Sequence, residues 1–496
     1  MFADVVPQVS FSSNSLGLPF SQSSNRLTIS GLSVTLPESA LRNPPGAALK
    51  PTSSTGRTDS YGSGLMNESV VSQASQNAKV IAMPRPDSVA DLGVRRSFLE
   101  DLALKILYLT GPLSVLELAD RLQLGYRATD ELFRRIREGQ LCEVTGVSQN
   151  GPALAITSQG RARALELLSL NQYTGPAPVS LSSYVHQVRQ QSVRKTAIHP
   201  ADLQRAFGHL VMDPKTVAQL GTALNSGTSI FLYGPTGSGK TTIAETLTKV
   251  FASDTVWIPY AVEIDGEIIA VYDPVIHRRV DVPPADVADR RWVLCRRPTV
   301  LVGGELTVEM LDLQFNSIAK FYEGPVQMKA NNGVLIIDDF GRQRLRPDEL
   351  LNRWVVPLDR HIDFLTLAGG KKIEMPFEMF VVFATNMSPA KLVDAAFLRR
   401  IQTKIRVGNI SPAQFHEIFR RIAEGAKLQY DRRVVDELIH IIQDSLNEPL
   451  RACQPRDILS HIQWAAKYQG IPMKIDPTTI KHAIETYFLP AEKSED

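Results

Sequence analysis

The amino-acid sequence predicts an α/β fold: a parallel sheet with helices on both faces, closed by a small C-terminal helical piece. A helix-and-hairpin domain precedes this core. Three observations carry the prediction. Apolar runs at Ile230–Tyr233, Val334–Ile337 and Phe380–Thr385 are short and nearly continuous, as strands covered on both faces are. Each run ends at polar residues with distinct chemistry: a glycine-rich turn after Tyr233, the pair Asp338-Asp339, and Asn386. Beyond residue 410 only helical periodicity remains.

Length and composition bound the answer without naming it. The 496 residues suffice for two or three domains, and a formal net charge of +2 selects no nucleic-acid, membrane or acidic partner. The three cysteines, Cys142, Cys295 and Cys453, lie far apart and match no metal spacing, which suits reduced thiols. No basic stretch followed by an apolar one opens the chain, and no apolar run approaches the roughly 20 residues that span a bilayer. The expectation is a soluble cytoplasmic protein with no membrane span.

Residues 1–90 are rich in Ser, Asn, Gly and Pro and keep no apolar period, as in Pro51-Thr52-Ser53-Ser54-Thr55-Gly56. Such a segment buries too little apolar surface to offset chain entropy and is expected to be a disordered tail. Residues 91–170 change texture. Phe98, Leu102, Leu104, Ile106 and Leu107 mark a helix ended by Gly111-Pro112. Ser114 and Glu117 form a capping box that opens a second helix. Ala128–Gly139 makes a third, carrying Leu132, Phe133 and Ile136. Strands at Leu141–Val144 and Ala153–Thr157 and a helix from Gly160 follow. This order resembles a winged-helix domain, and Ala155-Ile156-Thr157-Ser158-Gln159-Gly160 is similar to its wing-to-helix end. In the third helix Arg127, Arg134, Arg135 and Arg137 are opposed by Asp130, Glu131 and Glu138. That mixture favours protein docking over a DNA-reading face. Residues 171–199 read as a linker, residues 200–409 as the α/β core and residues 410–490 as the helical lid. Pro200–Phe207 and Asp213–Asn225 form a helical lead-in to the first strand.

The first motif is Gly234-Pro235-Thr236-Gly237-Ser238-Gly239-Lys240-Thr241-Thr242, which fits G-x-x-x-x-G-K-[ST]. Its glycines let backbone N–H groups close on phosphate oxygens, and the helix that follows points its positive end at the same place. Lys240 then faces the β- and γ-phosphates of ATP, and the Thr241 hydroxyl holds Mg²⁺. Ile243, Leu247, Val250 and Phe251 give that helix one buried face. In the second motif Asp338 holds Mg²⁺, usually through water, and Asp339 orients and activates the attacking water. Hydrolysis of ATP to ADP and phosphate follows as the expected activity.

Together these motifs resemble the AAA+ ATPases, over roughly residues 200–490. The resemblance implies further roles. Asn386 stands where the family's sensor-1 residue lies between the acids and the γ-phosphate. Asp394-Ala395-Ala396-Phe397-Leu398-Arg399-Arg400 is similar to the arginine-finger segment, with Arg400 favoured and Arg399 close behind. Gln454-Pro455-Arg456-Asp457 is similar to the sensor-2 position, which puts Arg456 over the nucleotide. One departure is Asp339, where the family commonly has Glu; the carboxylate is one methylene shorter, which bears on rate rather than binding. Gly369-Gly370, between Phe364–Ala368 and Lys371–Met375, marks a hairpin before the Asn386 strand. This feature is similar to the pre-sensor-1 hairpin group, which includes MoxR-type ATPases and bacterial enhancer-binding proteins. Phe321-Tyr322-Glu323-Gly324-Pro325 stands where such proteins carry substrate-facing loops, or packs in the core. The resemblance implies a homo-oligomeric ring, a hexamer in the family.

Two functions stay open from sequence: a ring ATPase that remodels a protein complex, with the winged helix as adaptor, or an ATP-dependent DNA-binding regulator or DNA-processing factor. The pairs Arg278-Arg279, Arg290-Arg291 and Arg296-Arg297, with Trp292, suit nucleic acid. Subunit contacts or Asp281, Asp286 and Asp289 nearby absorb them equally well, and that second reading is preferred.

Overall fold

The computed structural model describes residues 83–148, 151–281 and 289–488. Most of the expected tail (1–82), Asp286 and the last two residues of the expected lid lie outside them.

Five parallel strands form the central sheet, in the order Thr299–Val302, Val334–Ile337, Phe380–Thr385, Ile230–Tyr233, Thr403–Arg406. Successive side chains on a strand point to opposite faces, so each apolar run feeds two cores. Ile230, Leu232, Val334, Ile336, Phe380 and Val382 pack against helices Pro200–Phe207, Pro214–Ser226 and Lys240–Lys249. Phe231, Leu335, Ile337, Val381 and Phe383 pack on the other face with Phe340 and Trp354. The architecture is the expected α/β one, a layered core with helices on both sides of a parallel sheet.

The lid is built from helices Pro412–Gly425, Arg432–His440, Gln454–Gln469 and Pro477–Tyr487, around its own core of Phe415, Phe419, Leu438 and Ile458. Ser411 caps its first helix, with Gln414 returning the bond and Pro412 at the first helical position. Arg421 reaches back to the carbonyl of Gly208 at 3.0 Å, tying the lid to the lead-in helices.

Residues 96–170 form three helices, Arg96–Thr110, Val115–Leu122 and Tyr126–Glu138, then a small antiparallel sheet and the helix Ser158–Leu170. The Ser114–Glu117 capping box is present. Packing begins before residue 91: Val89 and Leu92 are buried in this module's core, so the tail ends earlier than expected.

The linker expected over 171–199 is corrected by the structure. Tyr173, Ala177, Val179, Tyr184 and Val188 are buried, and Leu181–Gln190 is a helix. Val179–Ser180 adds a strand to a second sheet that the sequence did not announce. Its order is Gln314–Asn316, Phe321–Glu323, Glu267–Ala270, Ala261–Ile264, Val179–Ser180. Ala261 and Ile268 of this sheet share a core with Leu99, Leu118 and Leu132, so the N-terminal module is packed onto the α/β body.

Arg290, Arg291 and Arg297 serve this packing. Arg291, with its side chain 4% exposed, binds Asp289 at 2.8 Å and the carbonyls of Leu92 and Pro178. Arg290 meets Asp120 at 2.9 Å, and Arg297 meets Asp254 at 3.1 Å and the carbonyls of Gln191 and Asn332. Trp292 is buried. Removing one partner of a buried ion pair leaves the other uncompensated, so Arg291→Ala is expected to lose about 3–5 kcal/mol. Denaturant unfolding measures this, and an unchanged midpoint would contradict the clamp.

Candidate nucleotide site

Parallel pairing brings three strand ends to one edge. Thr385 lies opposite Tyr233, and Ile337 opposite Phe383, so the glycine loop, Asp338 and Asn386 leave the sheet side by side. Ligands of open α/β sheets bind at this carboxyl edge. Gly234 takes φ 151°, and a Cβ there would lie 2.0 Å from the carbonyl oxygen of Val407, so only glycine fits. Gly237 and Gly239 also have positive φ, 76° and 92°.

Within the loop, Lys240 is buried and its Nζ donates to the Pro235 carbonyl at 2.9 Å. Burial pushes its ammonium below the ordinary lysine range, and Asp338 and Asp339 pull it partly back. Ser238 is buried, and its Oγ has no hydrogen-bond partner among the described residues. A polyphosphate supplies acceptors for both the ammonium and the hydroxyl, so the cradle fits that group. Pro235, Thr236 and Thr242 complete the loop and its first helical turn. Thr236 accepts from Asn386 Nδ2 at 3.4 Å, a contact across the cleft between the loop and the third strand end.

The Thr241 hydroxyl donates to Asp338 Oδ2 at 2.7 Å. Among the described residues no cluster of three or more His, Cys, Asp or Glu side chains could hold a metal. One hydroxyl and one carboxylate fit Mg²⁺, which keeps water and takes phosphate oxygens as its other ligands. Bound there, the ion would neutralise charge on the phosphates.

Asp339 is exposed and adopts φ 48°, the left-handed region. Its N–H donates to Asp338 Oδ1 at 2.9 Å, and the next residue is fixed by Phe340 N–H on the Ala384 carbonyl at 2.7 Å. The Thr385 hydroxyl donates to Phe340 O at 2.7 Å, and Gln343 donates to Asp338 O at 2.7 Å. These bonds fix the backbone on either side of Asp339. Gln343 had no motif to announce it.

The other arginines lie elsewhere. Arg399 and Arg400 precede strand Thr403–Arg406, at the amino edge of the sheet, in a cavity of about 430 Å³ with Thr228, Asp359 and His361. Arg400 Nε binds Asp359 at 2.9 Å. A four-residue strand spans about 13 Å, so these guanidinium groups are not at the glycine loop of their own chain. Arg456 lies in the first turn of Gln454–Gln469, 69% exposed, and binds Asp457 at 3.0 Å rather than the loop. Arg451, Ala452 and Cys453 of the lid lie beside the loop, and the sequence did not single them out. Cys453 N–H donates to the Gly237 carbonyl at 3.1 Å.

The hairpin expected around Gly369-Gly370 is present, Ile362–Thr366 against Lys372–Pro376. Asp363 is buried and bound by Arg353 and Gln327. Phe364 points outward, 48% exposed. Of the aromatic residues proposed to face a substrate, Tyr322 is buried and accepts from Ala368 N–H, and Phe321 packs edge-on against Tyr173. That stretch packs in the core. No described helix is long and apolar enough to cross a membrane.

Comparisons add a partial match. Residues 411–486, within the lid, match a family described as a domain of unknown function, DUF8689. No curated protein matches the chain. Among solved structures, the Thermotoga maritima RuvB Holliday junction branch migration motor is 12% identical over 59% of this chain and 73% of its own, with a TM-score of 0.33. Domain III of the Thermotoga maritima replication initiation protein DnaA is 14% identical over 60% of this chain and 100% of its own, also at 0.33.

Proposed function

We propose that this chain is an AAA+-type ATPase that binds ATP with Mg²⁺, hydrolyses it to ADP and phosphate in a homo-oligomeric ring, and uses the cycle to remodel a protein complex. The observation that carries the reading is the meeting of Lys240, Thr241, Asp338, Asp339 and Asn386 at one sheet edge. In this account the backbone of Gly234–Gly239 and the Ser238 hydroxyl hold the phosphates, and Lys240 offsets their charge. Asp339 accepts a proton from the attacking water, and Asn386 orients it.

The position of Arg400 supports a ring. An arginine at the amino edge serves a phosphate only on a neighbouring copy, where its guanidinium offsets charge on the γ-phosphate oxygens. The hexamer comes from family resemblance alone. In the N-terminal module, which we read as a winged helix, Arg134 pairs with Asp130, Arg135 with Glu138, and Arg96 with Glu131. This pairing favours protein docking over the alternative of a DNA-binding regulator.

The test is a mixing experiment. Arg400→Ala and Asp339→Asn each turn over slowly alone. Mixed, they assemble interfaces that pair an intact Arg400 with an intact Asp339, and a rate above either parent is expected. Co-assembly with no recovery at any ratio would contradict action across the interface.

A further inference from the structure

The turn that carries Asp339 follows directly on the strand Val334–Ile337 and is closed by one side chain. We propose that Gln343 is the positioning residue for Asp339: its amide braces this turn and keeps Asp339 in the left-handed conformation from which its carboxylate serves the attacking water. The inference rests on the role given to Asp339 above and deepens it.

The geometry argues for Gln343. Its Nε2 donates to the Asp338 carbonyl at 2.7 Å, and its Oε1 accepts from Gly341 N–H at 2.8 Å. Phe340 is pinned to Ala384 and Thr385, and this one half-buried amide ties the residues on either side of that pin. Inside the turn Arg342 N–H donates to the Asp339 carbonyl at 2.9 Å, and Gly341 takes φ 102°, which suits glycine. Gln343 has an anchor of its own. The N–H groups of Arg344 and Leu345, which follow it, donate to the carbonyls of Gly304 and Leu306, both at 3.2 Å. The brace therefore hangs on the loop after Thr299–Val302 and not on the acids.

Asp339 is the residue that needs it. Its φ of 48° is uncommon for any residue but glycine, and aspartate adopts it more readily than longer side chains do. Such conformations persist where the surroundings over-determine them, and they cluster at active sites. Asp338 is held without Gln343: its N–H donates to the Val302 carbonyl at 2.9 Å, and its Oδ2 accepts from Thr241 at 2.7 Å. Loss of the amide thus loosens Asp339 and leaves the Asp338–Thr241 pair in place. Glutamate on the same backbone would carry its carboxylate one methylene further, so the short acid and the left-handed turn are matched.

Single-turnover hydrolysis and titration with fluorescent ATP, both with Mg²⁺, test this on the full-length protein. Gln343→Ala is expected to slow hydrolysis by about tenfold to a hundredfold while ATP affinity stays parental. Asp339→Glu is expected to be slower than the parent as well. The decisive readout is the double variant. Gln343→Ala should add nothing to Asp339→Asn, because the group it positions is gone, whereas a structural role would slow both backgrounds alike. Parental turnover in Gln343→Ala, a loss of its ATP affinity, an equal loss of rate in the Asp339→Asn background, or Asp339→Glu at or above the parental rate would each overturn the inference. If Gln343→Ala fails to fold, Gln343→Met, which keeps the length and loses both bonds, carries the test on the same terms. The two readings fail separately. Parental turnover in Asp339→Asn removes Asp339 from its role, and the brace with it. A slow Asp339→Asn beside a parental Gln343→Ala removes the brace alone.

Discussion

Lys240→Ala is expected to lose at least about a hundredfold in ATP affinity, with no comparable change in unfolding. The ammonium is buried in the loop and bonded to the Pro235 carbonyl at 2.9 Å. Burial disfavours its charge, and Asp338 and Asp339 compensate only in part. Phosphate oxygens complete that compensation, so binding energy is concentrated on this group. Removing it leaves the glycine turn and the helix end, which are neutral dipoles, to face a highly charged ligand. Isothermal titration of the variant checks the effect. Parental affinity would remove the loop from its assigned role.

Asp339→Asn is expected to keep ATP bound and to slow hydrolysis by about 10²–10⁴-fold. The amide retains the shape and the backbone bonds of this residue, including its N–H on Asp338 at 2.9 Å, but accepts no proton. Asp338 and Thr241 remain in contact, so the Mg²⁺ pair is left intact. Single-turnover hydrolysis beside a binding titration separates the two effects. A variant with parental turnover would exclude Asp339 as the base, and one that loses binding would place it with the metal pair instead.

Much of the core was legible because its signals are local. Three of the strands are nearly continuous apolar runs, and a functional residue follows each directly: Gly234 after Tyr233, Asp338 after Ile337, Asn386 after Thr385. The lid helices have caps and a steady period, as at Ser411-Pro412. What the sequence hid is held by distant partners. Val179–Ser180 is a two-residue strand, too short to carry a period, and it exists because Val262 and Glu263 lie beside it. Gln191, in the stretch read as a linker, bonds both Trp257 and Asn332 in the buried interior. For Arg291 the sequence offered Asp289 nearby as a partner, but not the carbonyl of Leu92, 199 positions away, that completes its burial. Arg451 was missed for the same reason: its neighbour Gly237 is far off in the chain, and no spacing rule links a lid residue to the phosphate loop.

The most direct measurement is ATPase rate per subunit against protein concentration, with mass by light scattering and with duplex DNA present or absent. The account predicts a rate that rises as subunits assemble, because Arg400 of one copy completes the site of the next, and that does not respond to DNA. A monomer that hydrolyses ATP at full rate at every concentration, or no hydrolysis in an assembled protein, would contradict it.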